Sequence, residues 1–404
     1  MMSRWCLAPC LFALLGCPGK KATVSANADA AAPTASLAPF VEPPEGGTVS
    51  ATATLGSARV EVITIRPRTP PRSGEVIDIP AGKHASGSTP GDEGRDPALE
   101  PALVPLDVGP FQIDALPFPN EGAKPPQLAG SPDEADRLCK EKGKRLCTEI
   151  EWERACKGEA GDMFSTGAAW DAACDKEAAS CESGFHVRAL GAQKEWTRST
   201  FPGGASVVRG GATSQAKPTF AAHRCARRGR SEGDKAIAFR CCQGKENAQE
   251  LAPPALEKGF RKTKMEAAEL GKILGAQPEL GRIGSEIHSF EGEVAGVATR
   301  SSASKEGIVF TGSPVLWNPE AGIELLVATG RTKHLSFIVA LYPLPDGKYR
   351  TASYLLLLGD VAPIALAYDP HRRKELLWTS CFGCLGEQGS ITIREDHRVV
   401  IVQH

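Results

Sequence analysis

Sulfur is the element in this chain best placed to do chemistry. Thirteen cysteines stand among 404 residues. Cys6, Cys10 and Cys17 open the chain; Cys139, Cys147, Cys156, Cys174, Cys181, Cys225, Cys241 and Cys242 form a middle group; Cys381 and Cys384 stand near the end. Thiolates hold soft metal ions or act as nucleophiles, and in pairs they cross-link a chain. Even numbers in the last two groups point to disulfides made in an oxidising compartment. Spacing leaves the connectivity open, with on the order of 100 pairings for eight cysteines. A bond between the adjacent Cys241 and Cys242 would strain the backbone, so each is expected to pair elsewhere. A metal site joining them to Cys225 is the alternative. Cys381-Phe382-Gly383-Cys384 has redox-motif spacing, but a reactive thiol wants a helix N-terminus. This pair instead follows an expected strand, and a second ligand pair for zinc is missing, so a disulfide across a turn is expected.

The eight histidines (His84, His186, His223, His288, His334, His371, His397 and His404) are scattered. They form no metalloprotease pair and read as surface or satisfied residues. His223 sits beside Arg224, Arg227 and Arg228, which suggests a solvated basic face, with a pocket wall as the other reading. Neither a phosphate loop nor a nucleophile elbow is present.

The elements that must position these residues centre on Gly143 to Ala155. Thr148 and Glu151 form a capping box, so a helix is expected from there with Trp152, Ala155 and Cys156 as its buried stripe. A second box lies just upstream, with Ser131 as cap, Pro132 in the first turn and Glu134 three residues on. That helix has Ala135, Leu138 and Cys139 on its apolar side and Gly143 as a stop.

GKRLCTEIEWERA resembles the "GKRLPTEAEWEKA" signature of the formylglycine-generating enzyme, or sulfatase-modifying factor, family. Further words follow in order. Ile79-Pro80-Ala81-Gly82 and Gly87-Ser88 resemble the family's entry segment, and Phe111-Gln112-Ile113-Asp114 its "F-x-I-D" strand. Glu195-Trp196-Thr197 resembles the end of "G-N-V-W-E-W-T", Arg209-Gly210-Gly211 the "R-G-G-S" stretch, and Ala238-Phe239-Arg240-Cys241 the closing "G-F-R-C". The resemblance implies a loop-rich variant of the C-type lectin-like fold. Active members hold Cu(I) between two thiolates, suited to a soft ion, and oxidise a substrate cysteine to formylglycine. The first thiolate falls just after "R-G-G-S" and the second five residues later. Here that stretch runs from Ala212 to Phe220 without a cysteine, and Ser214 and Gln215 are hard groups. Cys225 resembles a structural disulfide cysteine of some relatives. Where the family places an asparagine that helps to hold calcium, Ala192 stands, with Lys194 adding a repelling charge. Glu195 is then read as a surface or core-edge carboxylate. No metal and no cofactor are expected. The candidate ligand cleft is the neighbourhood of Ser214, Gln215, His223 and Arg224.

Residues 1–17 read as a processing segment. Arg4 gives the positive start, Trp5 to Leu15 the apolar run, and Leu14-Leu15-Gly16-Cys17 resembles a bacterial lipobox, implying lipid attachment at Cys17 and an anchored, non-spanning protein. Residues 18–57, rich in Ala, Pro, Ser and Thr, read as a disordered tether. Residues 58–244, beginning with an alternating strand over Arg59 to Ile65, form the family-like domain. Residues 245–258 read as a linker. Residues 259–404 form a β-rich domain, an antiparallel sheet or small barrel, with a helix near Lys262 to Leu274 ahead of its strands. Its strands are expected at Gly322–Thr329, Leu335–Tyr342, Tyr349–Leu358, Ile364–Tyr368, Leu376–Thr379, Ser390–Arg394 and Val399–Val402, with a turn at Pro345-Asp346-Gly347. The fold class is therefore α+β.

Lys plus Arg number 47 and Asp plus Glu 48. So balanced a charge argues against a nucleic-acid partner. The expected partners are the membrane, through the N-terminal lipid, and an envelope protein or glycan. The chain reads as a non-catalytic, lipid-anchored pseudoenzyme of the bacterial cell envelope, in the outer membrane and facing either the periplasm or the surface. A copper- or iron-dependent oxygenase with an altered metal site is the alternative, and a partner-binding role for the C-terminal domain is a third.

Overall fold

The computed structural model describes residues 72–211, 223–231, 236–251, 259–284, 286–298, 307–358, 362–380 and 388–404. The processing segment with Cys17, the 18–57 tether, the strand expected over Arg59 to Ile65, Ser214, Gln215, Cys381 and Cys384 lie outside them. Residues 68–404 form one compact unit. Its architecture is α+β, with short helices and mainly antiparallel sheets. No helix among the described residues is long and apolar enough to cross a membrane.

The first half contains β1 (Val76–Ile79), β2 (Gly82–Ser86), β3 (Val104–Val108), β4 (Phe111–Asp114), α1 (Pro132–Lys140), β5 (Arg145–Leu146) and α2 (Glu149–Lys157). β6 (Glu195–Thr200), β7 (Ser206–Arg209), β8 (Arg228–Ser231), β9 (Ala238–Phe239) and β10 (Cys241–Gln243) follow. One sheet has the order β1-β4-β10-β5 and another β8-β7-β6-β9, while β2 and β3 form a hairpin. Both helices begin as their sequences dictate. The Ser131 side chain accepts from the Glu134 N–H, and Thr148 and Glu151 satisfy each other's backbone N–H groups.

A nine-residue helix has little stability of its own in water, so packing must hold α2. The expected stripe of Trp152, Ala155 and Cys156 understates this packing, because all nine residues of α2 are buried. Its charged side chains therefore need partners. Glu149 accepts from Arg228 through both carboxylate oxygens, at 2.7 and 2.8 Å, and from Arg209 at 3.0 Å. Glu153 accepts from Arg209 at 2.8 Å, the Ser86 hydroxyl and the Gly87 N–H, and pairs with Lys157 at 2.8 Å. Glu151 takes a two-pronged contact from Arg145. Arg154 donates to the carbonyls of Lys83 and Pro80.

Glu195 corrects the reading of a surface or core-edge carboxylate. It is buried, and both its oxygens accept from Arg240, at 2.7 and 2.8 Å. Arg240 also donates to the carbonyls of Asp114, Ala115 and Arg188. The arginines after His223 correct the solvated-face reading as well, since Arg224 and Arg228 are buried. The glycines of Arg209-Gly210-Gly211 have a steric reason: both have positive φ, and a Cβ on Gly211 would lie 2.2 Å from the Lys194 nitrogen.

Opposed effects set the pH response of this lattice. Burial acts to raise the Glu153 carboxyl, but the charges of Arg209 and Lys157 outweigh it and hold it well below the usual range. A carboxyl depressed by folding stabilises the native state above its unfolded pKa, and the benefit disappears as pH falls through the folded value. Burial raises Glu100 despite Arg224, and raises Asp114 despite Lys144. These two act in the opposite sense, weakening the fold as pH rises through their folded values. The thermal midpoint is expected to fall steadily once pH drops below about 4.5, where unfolded glutamates take up protons. Scanning calorimetry from pH 7 to pH 2.5 checks this, and a flat profile would contradict the role given to Glu153.

Four disulfides cross-link this half: Cys139–Cys241, Cys147–Cys242, Cys156–Cys225 and Cys174–Cys181. The adjacent cysteines of β10 thus reach in opposite directions, one to α1 and one to the cap of α2. The expected linker is anchored at Asn247 and Leu251. The Asn247 backbone and side chain both donate to Glu151, its carbonyl accepts from the Thr148 hydroxyl, and Leu251 is buried.

The second half is β-rich. β11 (Gly259–Lys262), α3 (Ala267–Gly275), α4 (Glu291–Ala298), β12 (Val309–Thr311) and β13 (Val315–Asn318) lead into β14 (Leu325–Arg331), β15 (Leu335–Pro343) and β16 (Tyr349–Leu358). β17 (Ala365–Tyr368), β18 (Glu375–Thr379), β19 (Gln388–Ile393) and β20 (Val399–Gln403) complete it. Two five-stranded antiparallel sheets result, β11-β13-β14-β15-β16 and β12-β17-β18-β19-β20. The structure thus has open sheets, and no barrel closes among the described residues. Alternation along β14 and β15 explains the layering. Leu325, Val327, Ile338 and Ala340 face the other sheet with Trp317, Leu376 and Trp378. Leu326, Ala328, Phe337 and Val339 face Leu270 and Leu274 of α3. The first sheet is therefore buried on both faces, which accounts for near-continuous apolar strands. The helix expected from Lys262 starts at Ala267, because β11 claims residues through Lys262.

Candidate functional site

A hollow of about 320 Å³ lies on the first half, within the size range of small-ligand pockets. Leu116, Pro117, Pro126, Ala178, Ala179, Ala189 and Ala192 give it an apolar lining, and Glu121, Lys124, Asp175, Gln193 and His223 supply polar groups. One wall is made of two short 3-10 turns, Ala172–Asp175 and Ala178–Ser180. The Asp171 side chain caps the first by accepting from the Ala173 N–H, and the Cys174–Cys181 bond ties the two together. A seven-residue loop closed this way has few conformations left, so the wall is set before a ligand arrives.

His223 is held from three sides. Its ring stacks on Trp170, with centroids 4.1 Å apart and planes 2° from parallel. Nδ1 lies 3.0 Å from the Gly191 carbonyl. Nε2 lies 3.4 Å from an Asp175 carboxylate oxygen, which also accepts from the Trp170 indole N–H at 3.0 Å. Gly191 allows this approach: it has positive φ, and a Cβ there would lie 2.6 Å from the His223 carbonyl oxygen. Its own carbonyl also accepts from the Gly211 N–H. The sequence reading of a solvated basic face is thus replaced by a clamped imidazole lining a pocket.

The other sequence-derived site residues separate. Arg224 follows His223 but turns away: it is buried, donates to the Glu93 carbonyl and lies 3.4 Å from Glu100. Ser214 and Gln215 fall outside the described residues. Trp170 and Asp175 were not singled out from the sequence. Trp170-Asp171 ahead of Cys174 carried one usable signal, an aspartate suited to capping a short turn.

The hollow combines an imidazole, a carboxylate and an amide on a mostly apolar floor. Such a set can orient a ligand's polar group or move a proton. The sulfur at its edge, Cys174, is in a disulfide and does not act as a thiolate. Asp171, Cys174 and Cys181 place three ligand atoms within 4.8 Å of one another, but the two sulfurs are bonded together, and that donor set does not fit a soft metal ion. No protein-family profile matches the chain, and no curated protein is found to be similar to it.

Proposed function

We propose that this chain is a lipid-anchored cell-envelope protein whose sulfatase-modifying-factor-like domain, with a C-type lectin-like fold, serves as a binding module. In this reading the His223 hollow is its ligand site, and the domain does not carry out the copper chemistry of active relatives. One observation carries the reading. The stretch after Arg209-Gly210-Gly211 contains no cysteine, and the nearest sulfur, Cys225, is bonded to Cys156. Every cysteine among the described residues is in a disulfide, so none of them offers the thiolates that Cu(I) needs in the family chemistry. The family words support a shared framework, because their charged residues make the buried ion pairs around α2. A framework does not fix an activity; site residues do.

Purified full-length protein, loaded with Cu(I) and incubated aerobically with a Cys-x-Pro-x-Arg peptide, is expected to leave the cysteine unchanged by mass spectrometry. Formation of formylglycine would overturn the reading. So would stoichiometric copper or iron retained through anaerobic purification, which would favour an oxygenase with an altered metal site.

A further inference from the structure

A second hollow, of about 490 Å³, lies on the seam between the loop after β2 and the sandwich, apart from the His223 site. Asp92, Asp96 and Arg227 line one side, and Tyr342, Arg350 and Arg398 the other. The seam is built rather than loose. Arg95 donates to the Ser88 hydroxyl and the Glu100 carbonyl within the loop, and across the seam to the Gly322 carbonyl. Arg350 donates to Asp92 at 2.8 Å. The Tyr342 ring packs on Gly91, where a Cβ would lie 2.7 Å from a ring carbon.

Hydrogen-bonding capacity in this hollow is unevenly used. Its carboxylates are engaged. Asp92 accepts from Arg350 and the Thr89 N–H, Asp96 from the Ala98 N–H, and Asp396 from Arg398. Glu93 is exposed on the rim. Two donors face the hollow without a hydrogen bond. The Arg227 guanidinium makes no hydrogen bond among the described residues, and its nearest carboxylate oxygens, on Glu100 and Asp96, are 3.8 and 4.0 Å away. Tyr342 lines the hollow, and its hydroxyl opens into it without a hydrogen-bond partner among the described residues. A tyrosine hydroxyl and a guanidinium left over in one hollow call for a ligand that brings acceptors, and guanidinium suits the planar or tetrahedral oxygens of carboxylate and phosphate.

We propose that this seam hollow binds a small molecule bearing an oxyanion, with Arg227 contacting the anionic group and the Tyr342 hydroxyl a further oxygen. Carboxylated and phosphorylated molecules share this chemistry. Occupancy touches both halves of the unit, so the ligand also raises its thermal midpoint by mass action.

Isothermal titration of the full chain with pyrophosphate, and separately with citrate, tests the proposal. At least one is expected to bind saturably at one site, and the one that binds identifies the class. Arg227→Gln is expected to weaken that binding by at least about tenfold, the size of a lost charge-assisted contact, and Tyr342→Phe by about three- to tenfold. Arg198→Gln, which removes a half-exposed arginine away from the seam, is expected to change neither. Tyr342→Phe removes one oxygen and carries the test if the Arg227 variant proves unstable. Absence of saturable binding for both anions overturns the proposal, as does full affinity in the Tyr342 and Arg227 variants.

Discussion

Glu149→Gln is expected to destabilise the protein by about 3–5 kcal/mol, the usual cost of leaving a buried ion without its partner. That is a large share of the total stability of a typical domain. The size follows from counting charges around α2. Arg209, Arg228 and Lys157 face Glu149 and Glu153, and all five are buried. After Glu149→Gln the three cations share one carboxylate, and the new amide turns an N–H₂ toward guanidinium donors. Arg209→Leu removes one of the three cations instead, leaving two opposite two, so it is expected to cost less although it breaks contacts to both glutamates. Removing Glu149 and Arg228 together with leucines is expected to cost less than the sum of the single changes, because apolar replacement of a buried pair is often neutral. Urea unfolding with unchanged slope measures each change. If Arg209→Leu proved more damaging than Glu149→Gln, charge balance would not be what governs this core.

The same lattice shows where sequence reading succeeds and where it stops. Both N-caps were legible because a cap is a local device, and the structure places α1 and α2 behind Ser131 and Thr148. Only the α2 box is reciprocal, since the Glu134 side chain accepts from the Gly130 N–H instead of the Ser131 N–H. All seven strands expected in the second half are present, since alternation and turn residues are local too. β11, β12 and β13 are only three or four residues long and lack a run long enough to show a period. Glu195 was misread because its neighbour in sequence, Lys194, gives no hint of Arg240, which meets it 45 residues on. The His223 clamp depends on Trp170 and Asp175, brought in by a turn whose shape is set by a disulfide. Pairings of this kind are tertiary facts that no window of residues encodes.

The neighbouring bridges from β10 are expected to cost more together than apart. Cys139–Cys241 and Cys147–Cys242 close loops of 102 and 95 residues. By loop entropy, one cross-link on a loop of that length contributes about 5 kcal/mol. Both loops are nearly the same loop, however. With either bond intact, the other closes only a ring of about ten residues, worth about 2.5 kcal/mol. Replacing one pair by alanines is therefore expected to cost about 2.5 kcal/mol, and removing the second pair afterwards about 3.5 kcal/mol more, because Cys156–Cys225 still spans the inner part of the loop and leaves a ring of roughly 30 residues to open. Each replacement also vacates a buried sulfur site, since all four cysteines are at most 1% exposed; that cavity cost is similar in either order and leaves the asymmetry intact. Cys174–Cys181, on a loop of seven, serves as an internal reference at about 2.4 kcal/mol. Denaturant unfolding of the two single-bridge variants and the double-bridge variant decides the matter. Equal costs for each bridge, simply adding in the double variant, would show that the two bonds constrain different parts of the unfolded chain. A larger second step shows instead that the paired cysteines of β10 are redundant guards on one long loop, the loop that carries α2, the His223 wall and most of the buried charge.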